Sequence, residues 1–90
     1  MSMTKDNYSI VKYPMATEKS IGLIKENNSL IFVVDKKSSK KEIRKALEEI
    51  FKKKVVSVNT TNNIDGRKLA YVKFPADTPA IDIATQLGIL

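Results

Sequence analysis

Five consecutive apolar residues, Leu30-Ile31-Phe32-Val33-Val34, restrict the fold more than any other feature of the chain. The run is rich in β-branched side chains and too short for an independent helix. Successive side chains of a strand point to opposite faces, so an unbroken apolar strand needs cover on both. The run therefore predicts the central strand of a sheet, and its neighbours must supply the layers around it.

The segment that follows has a different period. Ser39-Lys40-Lys41-Glu42 has the capping-box pattern, in which Ser39 accepts from the third residue's amide and Glu42 reaches back. Ile43, Ala46, Leu47, Ile50 and Phe51 then recur at helical spacing and form one apolar stripe. Lys40, Lys41, Arg44, Lys45 and Lys52 fall off that stripe, and Glu48 and Glu49 are expected in solvent beside them.

Ile10 to Tyr13 is a short β-prone run closed by Pro14. Thr17 suits a helix N-cap with Glu18 in the first turn, Ala16 and Ile21 sit at staple spacing around it, and Asn27-Asn28 suits the stop. Val55 to Val58 reads as a strand, Thr60 to Arg67 as a polar connection with a turn at Asp65-Gly66, and Leu69 to Phe74 as the returning strand. Thr78-Pro79 predicts an N-cap followed by proline in the first helical position. Ile81, Ala84 and Leu87, with Ile83 nearby, form the expected apolar face of a last helix, closed by Gly88 and Ile89. The predicted fold class is an α/β (α+β) sandwich in the order β-α-β-α-β-β-α, with a mostly antiparallel four-stranded sheet. Residues 10–90 are expected to form a single domain, and residues 1–9 a flexible N-terminus.

A chain of 90 residues supports one small core. It has 16 Lys and Arg against 10 Asp and Glu, a net charge of +6, and most of the excess lies between Asp35 and Lys54. That clustering points to a polyanionic partner, although a basic surface also serves plain solubility. There are no cysteines and no histidines. Disulfides, zinc sites and thiol nucleophiles are therefore excluded, along with the side chain most often used as a general base near neutral pH. Gly22, Gly66 and Gly88 are isolated and form no phosphate-cradling loop. No enzyme activity, cofactor, metal or small-molecule substrate is expected. No signal peptide or membrane span is visible, and no membrane partner is expected.

Candidate nucleic-acid contacts fall into three sets. Lys36, Lys37, Lys40, Lys41, Arg44 and Lys45 surround the charged helix and suit phosphates. Asn59, Thr60, Thr61 and Asn62 offer amides and hydroxyls to 2′-hydroxyls, phosphates or base edges, and equally suit a surface loop. Arg67, Lys68 and Lys73 extend the positive surface along the hairpin. Tyr71 fits either stacking on a base or packing within the sheet.

Several stretches together resemble one family. Tyr13-Pro14-Met15-Ala16-Thr17-Glu18-Lys19 is similar to the "P…TEK" motif of the universal large-subunit ribosomal protein 23 family. Asn28 to Val34 resembles its "N-x-L-x-F-x-V" strand, and Ser39 to Phe51 its "K-x-x-I…A-V-E-x-L-F" helix. Val55 to Thr60 resembles "V-x-x-V-N-T", Lys68 to Lys73 resembles "K-K-A-Y-V-K/T", and Asp82 to Gly88 is similar to the archaeal ending. The motifs occur in the family's order from about Tyr13 to Leu90.

The resemblance implies an α/β fold on an antiparallel sheet and a structural role in the large ribosomal subunit, in the cytoplasm. It implies binding of large-subunit rRNA near the polypeptide exit tunnel. The implied partners are large-subunit ribosomal protein 29 and exit-site factors such as signal recognition particle. RNA-facing positions carry over to Lys19, the lysines from Lys36 to Lys45, and the stretch from Asn59 to Lys68; Glu18 carries over as a docking position. The connection before Lys68 is short, as in archaeal members, so no tunnel-reaching loop is implied. Ile64-Asp65-Gly66-Arg67 departs from the more basic turn of archaeal relatives, and the basic N-terminal extension of eukaryotic members is not seen. An alternative from another class is a protein–protein adaptor whose basic helix docks an acidic partner without specific RNA binding.

Overall fold

The computed structural model describes residues 9–89. The expected flexible segment lies outside the described residues except for Ser9. Seven elements follow: β1 (Val11–Pro14), α1 (Glu18–Asn27), β2 (Ser29–Val34), α2 (Lys40–Phe51), β3 (Ser57–Asn62), β4 (Lys68–Lys73) and α3 (Ala80–Leu87). The strands form one antiparallel sheet in the order β1-β2-β4-β3. The α+β class and the predicted element order both hold.

β2 lies inside the sheet, and every one of its residues is buried. Its alternation divides the molecule. Leu30, Phe32 and Val34 join Val58, Ala70 and Val72 on the face covered by α2 and α3. There they meet Ile43, Ala46 and Leu47 of α2 and Ala80, Ile83 and Ala84 of α3. The rings of Phe32 and Phe51 are tilted at 41°, with centroids 5.9 Å apart, a favourable aromatic geometry. On the other face Ile31 and Val33 pack, among the described residues, with Leu69 and with the partly buried Met15, Leu23 and Tyr71. That second face carries a thin apolar seam, to which α1 contributes Leu23.

The caps explain where the helices begin and end. Thr17 forms a capping box with Ser20, whose Oγ accepts from the Thr17 amide at 2.8 Å. Ser39 and Glu42 form the expected box on α2. Asn28 closes α1 in the left-handed conformation, φ 53°. Its side chain then reaches across the fold: Nδ2 faces the carbonyls of Phe74, Pro75 and Thr78 at 2.9–3.2 Å, and Oδ1 accepts from the Ala80 amide at 2.7 Å.

That contact corrects the reading of the last helix. Thr78 does not cap it; Pro79 occupies the N-cap position without a side-chain bond, and the orphan Ala80 amide is met by Asn28. Docked this way, α3 buries Ala80, Ile83 and Ala84, while Ile81 turns outward at 45% exposure. Gly88 ends the helix at φ 78°, and the Ile89 amide donates to Ala84 O at 3.1 Å.

The start of the sheet and its polar end also differ from expectation. Ile10 is helical, and β1 instead runs to Pro14. The strand expected at Val55 to Val58 begins at Ser57 and runs through Asn62, so Thr60 to Asn62 are paired strand and not loop. An edge strand needs only alternate residues toward the core, and Val58 supplies that contact while β4 satisfies the backbone. Val55 is held differently. Its carbonyl accepts from Arg44 Nη2 at 2.7 Å and its amide donates to Glu48 Oε2 at 3.0 Å. Glu48 is accordingly half-buried, not free in solvent.

Candidate nucleic-acid interface

Antiparallel register gathers cations that are far apart in sequence. Val34 pairs with Lys68 and with Val11, so the end of β2, the start of β4 and the start of β1 share one end of the sheet. Lys36 and Lys37 follow β2 in the connection to α2. These elements enclose a groove of about 280 Å³ whose lining includes Lys12, Lys36, Lys37, Arg67 and Lys68, with Asp35 its one carboxylate. Val33 and Val34 form an apolar floor. Like charges held together in this way repel one another, and a polyanion relieves that repulsion.

Three contacts shape the groove. Lys68 Nζ donates to Ser38 O at 2.7 Å and ties β4 to the β2–α2 connection. Arg67 pairs with Asp65 at 2.7 Å across the turn and donates to the Tyr13 hydroxyl at 3.1 Å. The Asp65 carboxyl is held below its ordinary value, chiefly by the side-chain bond from Arg67, and Arg67 is held more firmly protonated by the same bond. Gly66 sits at φ 92°, and the Lys36 ammonium lies 3.3 Å from where a Cβ would project, so a side chain there would be strained in backbone and crowded by Lys36.

The sequence-predicted residues do not form one patch. Lys36, Lys37, Arg67 and Lys68 meet in the groove, joined by Lys12, which sequence reasoning missed. No local signal marks Lys12, because its place depends on pairing between β1 and β2. Lys40 and Lys41 occupy the first turn of α2, with Lys45 one turn further, all exposed. Since α2 buries its stripe against the covered face of the sheet, its outward bases face away from the open face. Arg44 also clamps Val55, with its Nε 3.6 Å from Glu48, and so has a structural task. Lys19 is exposed on α1 with Glu18 beside it at the helix start.

The open face carries the remaining residues. Ser57, Asn59 and Thr61 of β3 lie opposite Lys73, Tyr71 and Leu69 of β4, and these in turn lie beside Ser29, Ile31 and Val33 of β2. Thr60 and Asn62 occupy the alternate positions of β3, Thr60 half-buried and Asn62 exposed. Tyr13 pairs with Val33 and continues the open face toward Arg67. Among the described residues, no cluster of three or more acidic side chains forms a metal site, and no helix is long and apolar enough to cross a membrane.

Comparison with known proteins adds an independent finding. The family described as Ribosomal protein L23 matches residues 9–82. The large ribosomal subunit protein uL23 of the archaeon Methanothermobacter thermautotrophicus is 48% identical over 84 residues, covering 93% of this chain and 98% of that protein. The proteins of the same name from Tetrahymena thermophila and Trypanosoma brucei brucei are 39% and 40% identical over 85 residues. Each match covers 94% of this chain, which spans only 57% and 52% of those two longer relatives.

Proposed function

The chain belongs to the ribosomal protein L23 family, with an archaeal-type sequence, and from that premise we propose that it binds large-subunit rRNA near the polypeptide exit tunnel through the basic groove and the open face of its sheet. Membership makes it a structural constituent of the large ribosomal subunit in the cytoplasm, and not an enzyme.

The observation that carries the RNA reading is the convergence of Lys12, Lys36, Lys37, Arg67 and Lys68 from three separate stretches of chain. Bases that neutralise phosphates release counterions, so affinity falls steeply with salt. Asn59, Thr61 and the tyrosines of the open face add polar and stacking contacts that set register on the RNA. Lys40, Lys41 and Lys45 supplement the field from the helix side, and Lys19 from α1. Large-subunit ribosomal protein 29 and exit-site factors such as signal recognition particle are the proposed protein partners, with exposed Glu18 at a docking position.

The test is binding to a large-subunit rRNA fragment from the exit-tunnel region across a salt series, with an unrelated structured RNA of equal length as competitor. Strong preference for the rRNA with a steep salt slope is expected. Equal, weak binding to both RNAs would contradict the reading and bring forward an adaptor for an acidic protein.

A further inference from the structure

A second concavity lies on the open face, at the opposite end of the sheet from the groove. It encloses about 380 Å³ between the C-terminal half of α1 and strands β2, β3 and β4, with Ser29 of β2 in its lining and bonded to the Asn27 carbonyl. Leu23 and Asn27 of α1 form one wall; Ser57, Asn59, Tyr71 and Lys73 form the other. The register accounts for the second wall: Asn59 lies opposite Tyr71 and Ser57 opposite Lys73, all turned to one face.

The lining is unusual for a surface that only packs. The side chains of Asn27, Ser57, Asn59, Tyr71 and Lys73 have no hydrogen-bond partner among the described residues. Tyr71 is half-buried against Ile31, Val33 and Leu69, so its ring is held in place while its hydroxyl is unpaired. The site therefore offers a fixed aromatic ring, an apolar wall at Leu23, two carboxamides that both donate and accept, the hydroxyls of Ser57 and Tyr71, and one ammonium. Lys73 is the single charge of the lining. A nucleobase has a π-face, an edge bearing donors and acceptors, and a neighbouring phosphate, and these requirements match the lining one by one. The volume lies at the lower end of the range of about 300–1,000 Å³ for small-molecule sites, which suits one nucleoside.

We propose that this pocket receives a single unstacked nucleobase of the bound RNA, with Tyr71 stacking on the base, Asn59 and Ser57 reading its edge and Lys73 meeting its phosphate. The proposal rests on the rRNA-binding reading and adds to it one place where a base, not only the backbone, is held.

The experiment uses the full chain and an archaeal large-subunit rRNA transcript. Ultraviolet crosslinking followed by peptide mass spectrometry should place a nucleotide adduct on the peptide containing Tyr71. Tyr71→Ala should weaken binding about 10-fold while leaving the salt slope unchanged, because no phosphate contact is removed. Tyr71→Phe should keep most of the affinity. Tyr71 also supports the apolar seam, so Asn59→Ala provides a variant without that burden; Asn59 is exposed on an edge strand, and its loss should weaken binding several-fold with unaltered thermal stability. Wild-type preference for the rRNA, with no adduct at Tyr71 and unchanged affinity in both Asn59→Ala and Tyr71→Ala, would overturn the pocket assignment alone and leave the rRNA reading standing. Absence of any wild-type preference for the rRNA would overturn both.

Discussion

The two faces of the sheet are built from the same strands and have different surroundings. The covered face is apolar through its centre, where α2 and α3 seal it with Phe32, Phe74, Ile43 and Leu47 almost wholly buried, and turns polar at the end that carries Thr60, Asn62 and Lys68. The open face has a seam of three buried residues bordered by tyrosines, amides, hydroxyls and bases. Strand alternation makes the division possible, because each of β2, β3 and β4 sends every second residue to each side. Substitutions of buried covered-face residues should therefore act on stability, and substitutions of exposed residues in the groove and on the open face chiefly on the proposed RNA binding.

The largest expected break is in the core. Phe32→Ala should cost about 3–5 kcal/mol, read from denaturant unfolding, because it removes a buried ring and its packing on Phe51. Truncating an exposed open-face residue such as Asn59 or Thr61 should cost far less. Asn28→Gly comes next: glycine accepts the left-handed backbone, so its loss of about 2–3 kcal/mol would report the side-chain bonds to the β4–α3 connection and the Ala80 amide.

On the other side of the comparison, Lys36→Glu with Lys37→Glu should leave the unfolding midpoint almost unchanged. The same pair should weaken rRNA binding by more than about 10-fold and flatten its salt slope. A smaller effect belongs to the turn. Asp65→Asn should free Arg67 from a competing carboxylate and strengthen RNA binding a few-fold. In the free protein, NMR titration of Asp65 should give a midpoint below the ordinary 3.8, returning toward it in Arg67→Gln. Because the folded-state value is depressed, the ion pair's small contribution to stability is present above the ordinary carboxylate range and lost as pH falls through the folded-state midpoint.

What the sequence revealed follows from the range of each interaction. The α2 stripe, the Ser39 capping box, the Thr17 N-cap and the buried β2 strand are local patterns, and they were legible; the reciprocal bond from Ser20 that completes a second box at Thr17 was not. The placement of β3 was not legible either, because Thr60, Thr61 and Asn62 lack the apolar alternation that marks a strand, and it is pairing with β4 that carries them into one. Asn28 was legible as a helix stop, but its bond to Ala80 spans 52 residues and leaves no local trace. The same holds for the groove. Lys36 and Lys37 were read as neighbours of a basic helix, whereas register brings them to Lys12, Arg67 and Lys68. Arg44 shows the reverse case, a base that looked free by spacing and is occupied by Val55.

The most direct test of the account sets the groove against the outer face of α2. Affinity for the large-subunit rRNA fragment would be measured for two double variants of equal charge, Lys36→Glu with Lys37→Glu and Lys41→Glu with Lys45→Glu. The groove pair should lose at least about 10-fold more affinity than the helix pair, since the groove gathers cations from three stretches of chain while Lys41 and Lys45 lie outward on α2. Equal losses, or a greater loss from the helix pair, would contradict it and move the RNA interface to the helical layer.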